Sequence, residues 1–504
     1  MRRFRRTTLI LFFCLAVLAG LGLSRKINLE PPVWTSSPIA FCLSAIALAA
    51  GLLLLKPKNL ASLLLILFLG LSLGLWRGSI YMQKLGELKA ITGQQVTVEA
   101  TATSDAIYAA GSQLEFTAGH AHLLQGFLQG LSLQEGQSLQ GKELAGSFKV
   151  SGFGEPMIYR GDRVQISGKL YPMRGSNQAR IAYAQLKRTG LDSSWINNFT
   201  RRLSAGMQTA LPEPNSSFGM GLLIGQRNTL PSELTNQLVM VGLVHIVAVS
   251  GYNLTILVRA MAKLKLGSKY QRLLASLALI GVFILMTGFA ASIVRAAIVS
   301  ILSLWAWYYG RKIRPILILA FTAAITALVN PFYIWGDLGW YLSFLAFFGV
   351  LIIAPLAAKR FFKKRPRLLG MIVLETLAAE VMTLPLIMAT FGQLSLIGLL
   401  ANAIVVPLIP FTMLFGVIAG TAGMLLPALA GWFTWPANML LTFILDMVKI
   451  FAAIPESFQR VSINLMAMLS LYLVALVLVV ILHHRVKKSS ADRTELTQDF
   501  IAGR

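Results

Sequence analysis

Long apolar runs alternate with polar segments along this chain. Three runs without a charged residue come first, at 7–24, 31–55 and 60–76, and each is near the ~17 to 25 residues that a membrane-spanning helix needs. After a polar region, apolar segments resume and continue through residues 233–484. The pattern predicts a polytopic α-helical membrane protein with about 10 to 12 membrane helices.

Residues 86–190 show a different pattern. Short segments such as QVTVEATAT and ARIAYAQLK alternate apolar with polar residues and are separated by Gly, Ser and Asn, which is typical of half-buried strands. About five such segments predict an inserted small β-barrel of the OB-like type, a fold that often binds single-stranded nucleic acid or sugars. A purely structural outer domain is the alternative.

Few side chains in this polar region suggest chemistry. We interpret the RGD sequence at 160–162 as a turn, and His120 with His122 as a surface pair, because no further metal ligand lies nearby in the sequence. The aromatic residues that could stack on bases are Tyr108, Phe116, Tyr159, Tyr171 and Tyr183.

Charge orients the chain in the membrane. It has 45 Lys and Arg against 20 Asp and Glu, and the basic clusters RRFRR and HHRVKK flank the first and last apolar runs. The positive-inside rule predicts a cytoplasmic N-terminus and an extracytoplasmic β domain. The expected divisions are a three-helix membrane region (1–85), the OB-like domain (86–190), an amphipathic interfacial linker (191–232), a helical channel domain (233–484) and a cytoplasmic tail (485–504).

Helix breakers interrupt the later apolar region. Residues 381–445 carry no charge but contain prolines at 407, 410, 427 and 436 and glycines at 416, 420, 423 and 431. These residues are expected to divide the region into pieces shorter than the bilayer. Irregular backbone at membrane depth is tolerated only where protein buries it or water lines it, so the sequence predicts a cavity or pore.

The stretch VHIVAVSGYNLTIL, at 244–257, combines apolar and polar residues. We expect a helix that reaches His245, breaks at Ser250 and Gly251, and resumes at Tyr252. Such a break frees backbone groups and brings polar side chains, Asn253 among them, to one depth, as in broken-helix transport sites. A histidine bonded inside a helical bundle is the alternative reading.

Ionisable residues are rare inside the other apolar runs. Each costs about 2.5 to 3.5 kcal/mol on insertion scales, so its retention points to a pathway or an interior pair. Gly288, Ser292 and Arg295 fall at i, i+4 and i+7, and this spacing predicts one helix face along which an anion travels. The alternative is a turn, with Arg295 snorkelling to the headgroups. Glu380 is expected to lie deeper in the membrane, where it partners Arg295 or His245 or has a structural role.

Four segments together resemble the ComEC competence family. They are HIVAVSGYN at 245–253, ASIVRAA at 291–297, NPFYIWGDLGWYLSFLA at 330–346, and ETLAAEVMTLPLIMATFGQLSLIGLLANAIVVPLIP at 375–410. The resemblance implies an inner-membrane channel that passes single-stranded DNA into the cytoplasm during natural transformation. It also implies that the polar path includes His245, Ser250, Arg295, Asp337, Asn402 and Pro407.

The sequence departs from the family pattern in two places. Asn253 stands where the family usually has a second histidine. Many members also carry a metallo-β-lactamase-like nuclease domain, and residues 485–504 have no HxHxDH cluster. We therefore expect no metal, no cofactor and no enzymatic activity in this chain. The nuclease and the cytoplasmic DNA-translocating protein are expected to be separate partners, and membrane lipid surrounds the helices.

Two other functions are compatible with the residues alone. A small-solute or ion transporter would use the same broken helices around a narrow site. An intramembrane enzyme would use His245 and Glu380, but no base stands beside a nucleophile at a recognisable spacing.

Overall fold

In the computed structural model of the chain, nine helices are long and apolar enough to cross a membrane. They lie within the residues that the structure describes, so the architecture fits a polytopic membrane protein. The predicted run at 31–55 lies outside that set, apart from residues 48 and 51. The described residues are 4–27, 48, 51, 59–108, 113–126, 143–144, 146–155, 157–173, 177–226, 230–247, 251–263, 267–311, 314–362, 366, 368–455 and 458–501.

Helices make up most of the described chain, and the contacts divide it into two compact units. The first unit is Met1–Arg202 with Leu273–Tyr341, and the second is Leu203–Arg272 with Leu342–Arg504. The helices are α1 (Arg6–Ser24), α2 (Leu60–Ala90), α3 (Trp195–Ala210), α4 (Asn215–Ile224), α5 (Ser232–Met240), α6 (Val244–Val247), α7 (Gly251–Lys263), α8 (Lys269–Met286), α9 (Ala291–Tyr308), α10 (Pro315–Val329), α11 (Phe332–Gly336), α12 (Leu338–Phe348), α13 (Ala354–Phe361), α14 (Leu368–Phe391), α15 (Gly398–Val405), α16 (Ile409–Leu425), α17 (Ala430–Ala452) and α18 (Leu465–Ile501).

A separate sheet domain belongs to the first unit. Strand β1 pairs with both β3 and β6, so the pairings β1–β6–β7–β5–β3 return to β1. All these pairings are antiparallel except that of β5 with β7. The strands are β1 (Gln95–Ala102), β2 (Ile107–Tyr108), β3 (Leu114–Gly126), β4 (Glu143–Leu144), β5 (Phe148–Phe153), β6 (Arg163–Pro172) and β7 (Ala179–Gly190).

Alternation along the strands builds the core of this domain. Val96, Val98 and Ala100 on β1 are buried, while the residues between them are partly exposed, because successive side chains on a strand point to opposite faces. Phe116 on β3 lies in the same core with an exposed fraction of only 3%. The prediction that Phe116 stacks on a base is therefore wrong.

Glycines bring α1 and α2 close together. A Cβ added to Gly20 would lie 2.9 Å from the backbone nitrogen of Leu75 and 3.0 Å from the Cα of Gly74. At Gly70, an added Cβ would lie 2.9 Å from the Cβ of Ala16. Small residues at these positions allow the two helix backbones to approach each other, as is common between membrane helices.

A buried helix, α4, lies in the second unit. All ten of its residues are buried, and it packs against α16 and α17. Asn215 donates from Nδ2 to Asn438 Oδ1 at 2.7 Å and to Thr442 Oγ1 at 2.8 Å. These bonds satisfy a buried amide, which is costly to leave unpaired.

The breaks in the late apolar region partly differ from those predicted. A 3₁₀ turn at Val406–Leu408 separates α15 from α16, and another at Pro427–Leu429 precedes α17. The interruption expected at Pro436 is wrong, because α17 continues through it. The helix α16 likewise continues through Gly416, Gly420 and Gly423. A two-residue antiparallel pair, β8 (Leu394–Ser395) with β9 (Phe458–Gln459), lies beyond α14.

Candidate functional site

The predicted path residues fall into two groups, one in each compact unit. Ser292, Arg295 and Asp337 belong to the first compact unit. Ser250 lies outside the described residues. The second unit contains His245, Gly251, Asn253, Glu380, Asn402 and Pro407.

Arg295 is buried in the first unit. Its exposed fraction is 2%, and its Nη2 donates to the carbonyl oxygen of Gly339 at 3.0 Å. The carboxylate of Asp337 is close enough for a favourable electrostatic interaction, and its Oδ1 accepts from the backbone N–H of Gly339 at 2.9 Å. Snorkelling to the headgroups is therefore the wrong reading of Arg295. Its Nε and Nη1 make no hydrogen bond among the described residues.

The helix face predicted from Gly288, Ser292 and Arg295 does not form. Gly288 lies in the turn between α8 and α9 with a φ of 66°. That left-handed conformation suits glycine and ends a helix. The shared face of three residues was therefore a wrong prediction, and the turn that was its alternative is confirmed. Ser292 and Arg295 lie near the start of α9, which begins at Ala291.

His245 lies on α6, a single short turn of helix in the second unit. Its Nδ1 is 3.0 Å from the carbonyl oxygen of Gly242, and the ring is exposed. Gly242 itself adopts a φ of 75° and ends the preceding helix. The described part of the next helix, α7, runs from Gly251 to Lys263, and the break expected at Ser250 falls outside the described residues. Asn253 on α7 is buried.

Glu380 and Asn402 meet between α14 and α15. The Nδ2 of Asn402 donates to Oε2 of Glu380 at 3.4 Å. Asn402 is 3% exposed, and its Oδ1 accepts no hydrogen bond among the described residues. Among the described residues, Glu380 therefore lies beside the amide of Asn402 rather than beside a cationic side chain. Pro407 is buried in the 3₁₀ turn that follows α15.

Ser395 connects this pair to the turn that holds His245. A Cβ added to Gly398 would lie 3.2 Å from Glu380 Oε1 and 3.2 Å from Ser395 Oγ. A Cβ added to Gly242 would lie 3.5 Å from the same Ser395 Oγ and 3.5 Å from the Cα of Gly398. The Oγ of Ser395 is buried and makes no hydrogen bond within the described part of the chain. We call Gly242, Glu380, Ser395, Gly398 and Asn402 the Glu380 cluster.

Comparison with known proteins identifies the family. A family model described as "Competence protein" matches residues 222–486, which is more than half of the chain. The chain belongs to the competence protein family. ComE operon protein 3 of Bacillus subtilis (strain 168) is 26% identical over 249 residues, which cover 47% of this chain and 31% of that relative. The match thus spans about a third of the relative's length. No solved structure gave a significant match.

The competence match includes all ten predicted path residues, since they lie between 245 and 407. Sequence reasoning missed Gly242, Ser395 and Gly398 as members of the Glu380 cluster. The signal for Gly398 was its place within the quoted segment at 375–410, where a glycine interrupts the apolar run. Ser395 lies in the same segment, but a single serine beside an apolar run does not by itself predict a contact with Gly242 or Glu380.

The sheet domain of this competence protein has a basic and aromatic outer face. On β6 and β7 the residues that point outward include Arg163, Lys169, Tyr171, Tyr183 and Lys187. Tyr183 is 75% exposed, and the Nζ of Lys169 lies 5.8 Å from the ring centroid of Tyr171. Cations beside exposed rings favour contact with phosphates and bases. We call these five residues the β6–β7 face.

The RGD sequence forms a turn, as predicted. Asp162 is fully buried, and its carboxylate accepts the backbone N–H groups of Tyr159 and Asp192, each at 3.0 Å. Arg160 donates from Nη2 to Oδ1 of Asn197 at 2.8 Å. Burial lowers the pKa of the Arg160 guanidinium, while Asp105 and Asp192 oppose that shift.

The histidine pair on β3 is not part of a metal centre within the described residues. There, no three His, Cys, Asp or Glu side chains come together as ligands. His120 is exposed, and its Nδ1 lies 3.2 Å from Oε1 of Glu143. This contact is an exposed pair of the kind that contributes little to stability.

Proposed function

We propose that this chain forms the inner-membrane channel that passes single-stranded DNA into the cytoplasm during natural transformation. The observation that carries the proposal is membership of the competence protein family over residues 222–486. The relative is named for a competence operon, and nine apolar helices within the described chain provide the membrane part. Helix interruptions at Gly242, Val406–Leu408 and Pro427–Leu429 suit a polar passage.

The sheet domain is proposed to be an OB-like barrel that receives the strand. Support comes from the pairings that return to β1 and from the one parallel pair, β5 with β7. A closed ring of five strands is the arrangement expected of an OB-fold. The β6–β7 face then supplies cations for the DNA backbone and rings for its bases.

The orientation and the partners are part of the same proposal. Basic clusters at both ends of the apolar region support a cytoplasmic location for the N-terminus and for residues 485–504, and an outer location for the sheet domain. Conversion of duplex DNA to one strand is assigned to a separate nuclease. Force on the emerging strand is assigned to a cytoplasmic translocating protein. We propose no catalytic step for this chain, since no base is hydrogen-bonded to Ser395 Oγ within the described residues.

Deletion of the chain in its competent host is expected to abolish entry of labelled DNA into the cytoplasm, because the strand then has no passage through the bilayer. Entry is measured as label protected from an external nuclease, and binding of duplex to the cell surface is measured in parallel. Complementation with the full chain should restore entry. Unchanged protected label in the deletion strain would contradict the proposal.

Replacing Tyr183 with alanine is expected to weaken binding of an oligothymidine to the purified full chain by about tenfold. Base stacking on an aromatic ring contributes about 1 to 3 kcal/mol per base, and Tyr183 is the most exposed ring on the β6–β7 face. Fluorescence anisotropy measures the affinity. Tyr108→Ala is the matched control, because it removes an exposed tyrosine from β2. Equal losses in the two variants would argue against this face.

The Glu380 cluster favours a second candidate function, an ion or small-solute transporter, because it gathers oxygen acceptors at helix breaks. Vesicles that contain the purified chain distinguish the two functions. A transporter accumulates a small labelled ion or solute and is indifferent to oligonucleotides, whereas a DNA channel passes an oligonucleotide.

A further inference from the structure

Oxygen acceptors outnumber donors in the Glu380 cluster. The carboxylate of Glu380 offers two oxygens, and the amide of Asn402 donates to one of them at 3.4 Å. Asn402 Oδ1 and Ser395 Oγ have no hydrogen-bond partner among the described residues. Asn402 is 3% exposed, so its unpaired oxygen is withdrawn from solvent. Such an oxygen costs free energy unless something positive occupies the space beside it.

The two glycines of the cluster lie close to its oxygens. The position of a Cβ on Gly398 lies 3.2 Å from Glu380 Oε1 and 3.2 Å from both Cβ and Oγ of Ser395. A methyl group there would crowd both oxygens, so the glycine keeps carbon away from them on that side. A Cβ on Gly242 would lie 3.2 Å from Ser395 Cβ and 3.5 Å from Ser395 Oγ.

The chemistry of the cluster selects the sign and the charge of that ligand. A phosphate would be repelled by the carboxylate of Glu380 and would find only the Asn402 amide and the Ser395 hydroxyl as side-chain donors. Hard cations, in contrast, bind carboxylate, amide, hydroxyl and backbone oxygens. One monovalent cation neutralises one carboxylate, whereas a divalent ion would leave an excess charge among membrane helices, which is costly.

We propose that the Glu380 cluster is a binding site for one monovalent alkali cation of the sodium class. Oxygens of Glu380, Asn402 and Ser395 are its ligands, at the breaks that flank α15. Helix breaks hold sodium ions in this manner in other membrane proteins. The test of this site uses no DNA, so its outcome is independent of the proposed DNA channel.

The test measures binding of radioactive sodium to the purified full chain in detergent, with choline chloride holding the ionic strength constant. Saturable binding is expected in the natural chain. Glu380→Gln should abolish it, because the amide keeps the shape but removes the charge. Gly398→Ala should lower the affinity by about tenfold or more, the effect of losing one charge-assisted contact. Gly281→Ala is the matched control, since a Cβ there meets nothing within 4 Å.

Thermal unfolding of the same samples gives a second measurement that does not depend on any variant folding. Sodium chloride should raise the unfolding midpoint of the natural chain above that in choline chloride, since a ligand that binds only the folded state stabilises it. Absence of saturable sodium binding would overturn the proposal. A midpoint that changes with pH but is equal in the two salts would also overturn it, because the carboxylate would then be neutralised by a proton.

Discussion

Replacing Asp337 with alanine is expected to lower the free energy of unfolding by about 1 to 3 kcal/mol. Asp337 is 8% exposed and Arg295 is 2% exposed, and their opposite charges attract each other. Removing the carboxylate takes that attraction away from a buried guanidinium. The same substitution removes the acceptor for the backbone N–H of Gly339. The unfolding midpoint in detergent measures the loss.

A double variant distinguishes the charge from the packing at this site. Arg295→Met combined with Asp337→Ala removes both charges, so it should be more stable than Asp337→Ala alone. Asp446→Ala is the control, because its carboxylate is exposed and lies 3.6 Å from Lys449 Nζ, where a pair contributes about 0 to 1 kcal/mol. If Asp337→Ala and Asp446→Ala shift the midpoint equally, the buried pair is not a source of stability.

The apolar runs predicted the membrane helices well, because an uncharged run of bilayer length has few alternatives to a helix. The runs at 7–24 and 60–76 became α1 and α2, as predicted. The lengths were less certain. The helix α2 extends to Ala90, well past the end of its uncharged run, because backbone hydrogen bonding continues after the apolar residues end.

The alternation of buried and exposed residues along the strands was also confirmed. The choice of Phe116 as a stacking residue did not take this alternation into account. Leu114, Phe116 and Ala118 on β3 are all buried, and Glu115 between them is partly exposed. The period of two therefore assigns Phe116 to the inner face. Choosing candidates by aromatic character alone overlooked that assignment.

The site was harder to predict than the helices. The face of Gly288, Ser292 and Arg295 assumed that the helix already included Gly288, but the turn there sets a later start. The Glu380 cluster assembles residues from three separate segments around Gly242, Glu380 and Ser395. No local spacing encodes such a meeting, since it depends on how distant helices pack.

Replacing Gly20 with alanine is expected to destabilise the chain by about 1 to 3 kcal/mol, although alanine is the better helix former. The added methyl group would overlap the carbonyl oxygen of Leu71 and lie 2.9 Å from the backbone nitrogen of Leu75. Both atoms belong to the backbone of α2 and cannot rotate aside, so the two helices must separate. Separation loses dispersion contacts along the whole interface. The unfolding midpoint in detergent measures the effect.

Gly22 supplies the matched control on the same helix, two residues along α1, because a Cβ there meets nothing within 4 Å. Gly22→Ala should leave the unfolding midpoint unchanged or raise it. The better helix propensity of alanine adds up to about 1 kcal/mol to the free energy of unfolding. The two substitutions are chemically identical and differ only in what faces the new methyl group. Midpoint shifts of opposite sign in the two variants would show that α1 and α2 approach closely because Gly20 has no side chain. Equal shifts would show that the helices do not meet at this glycine.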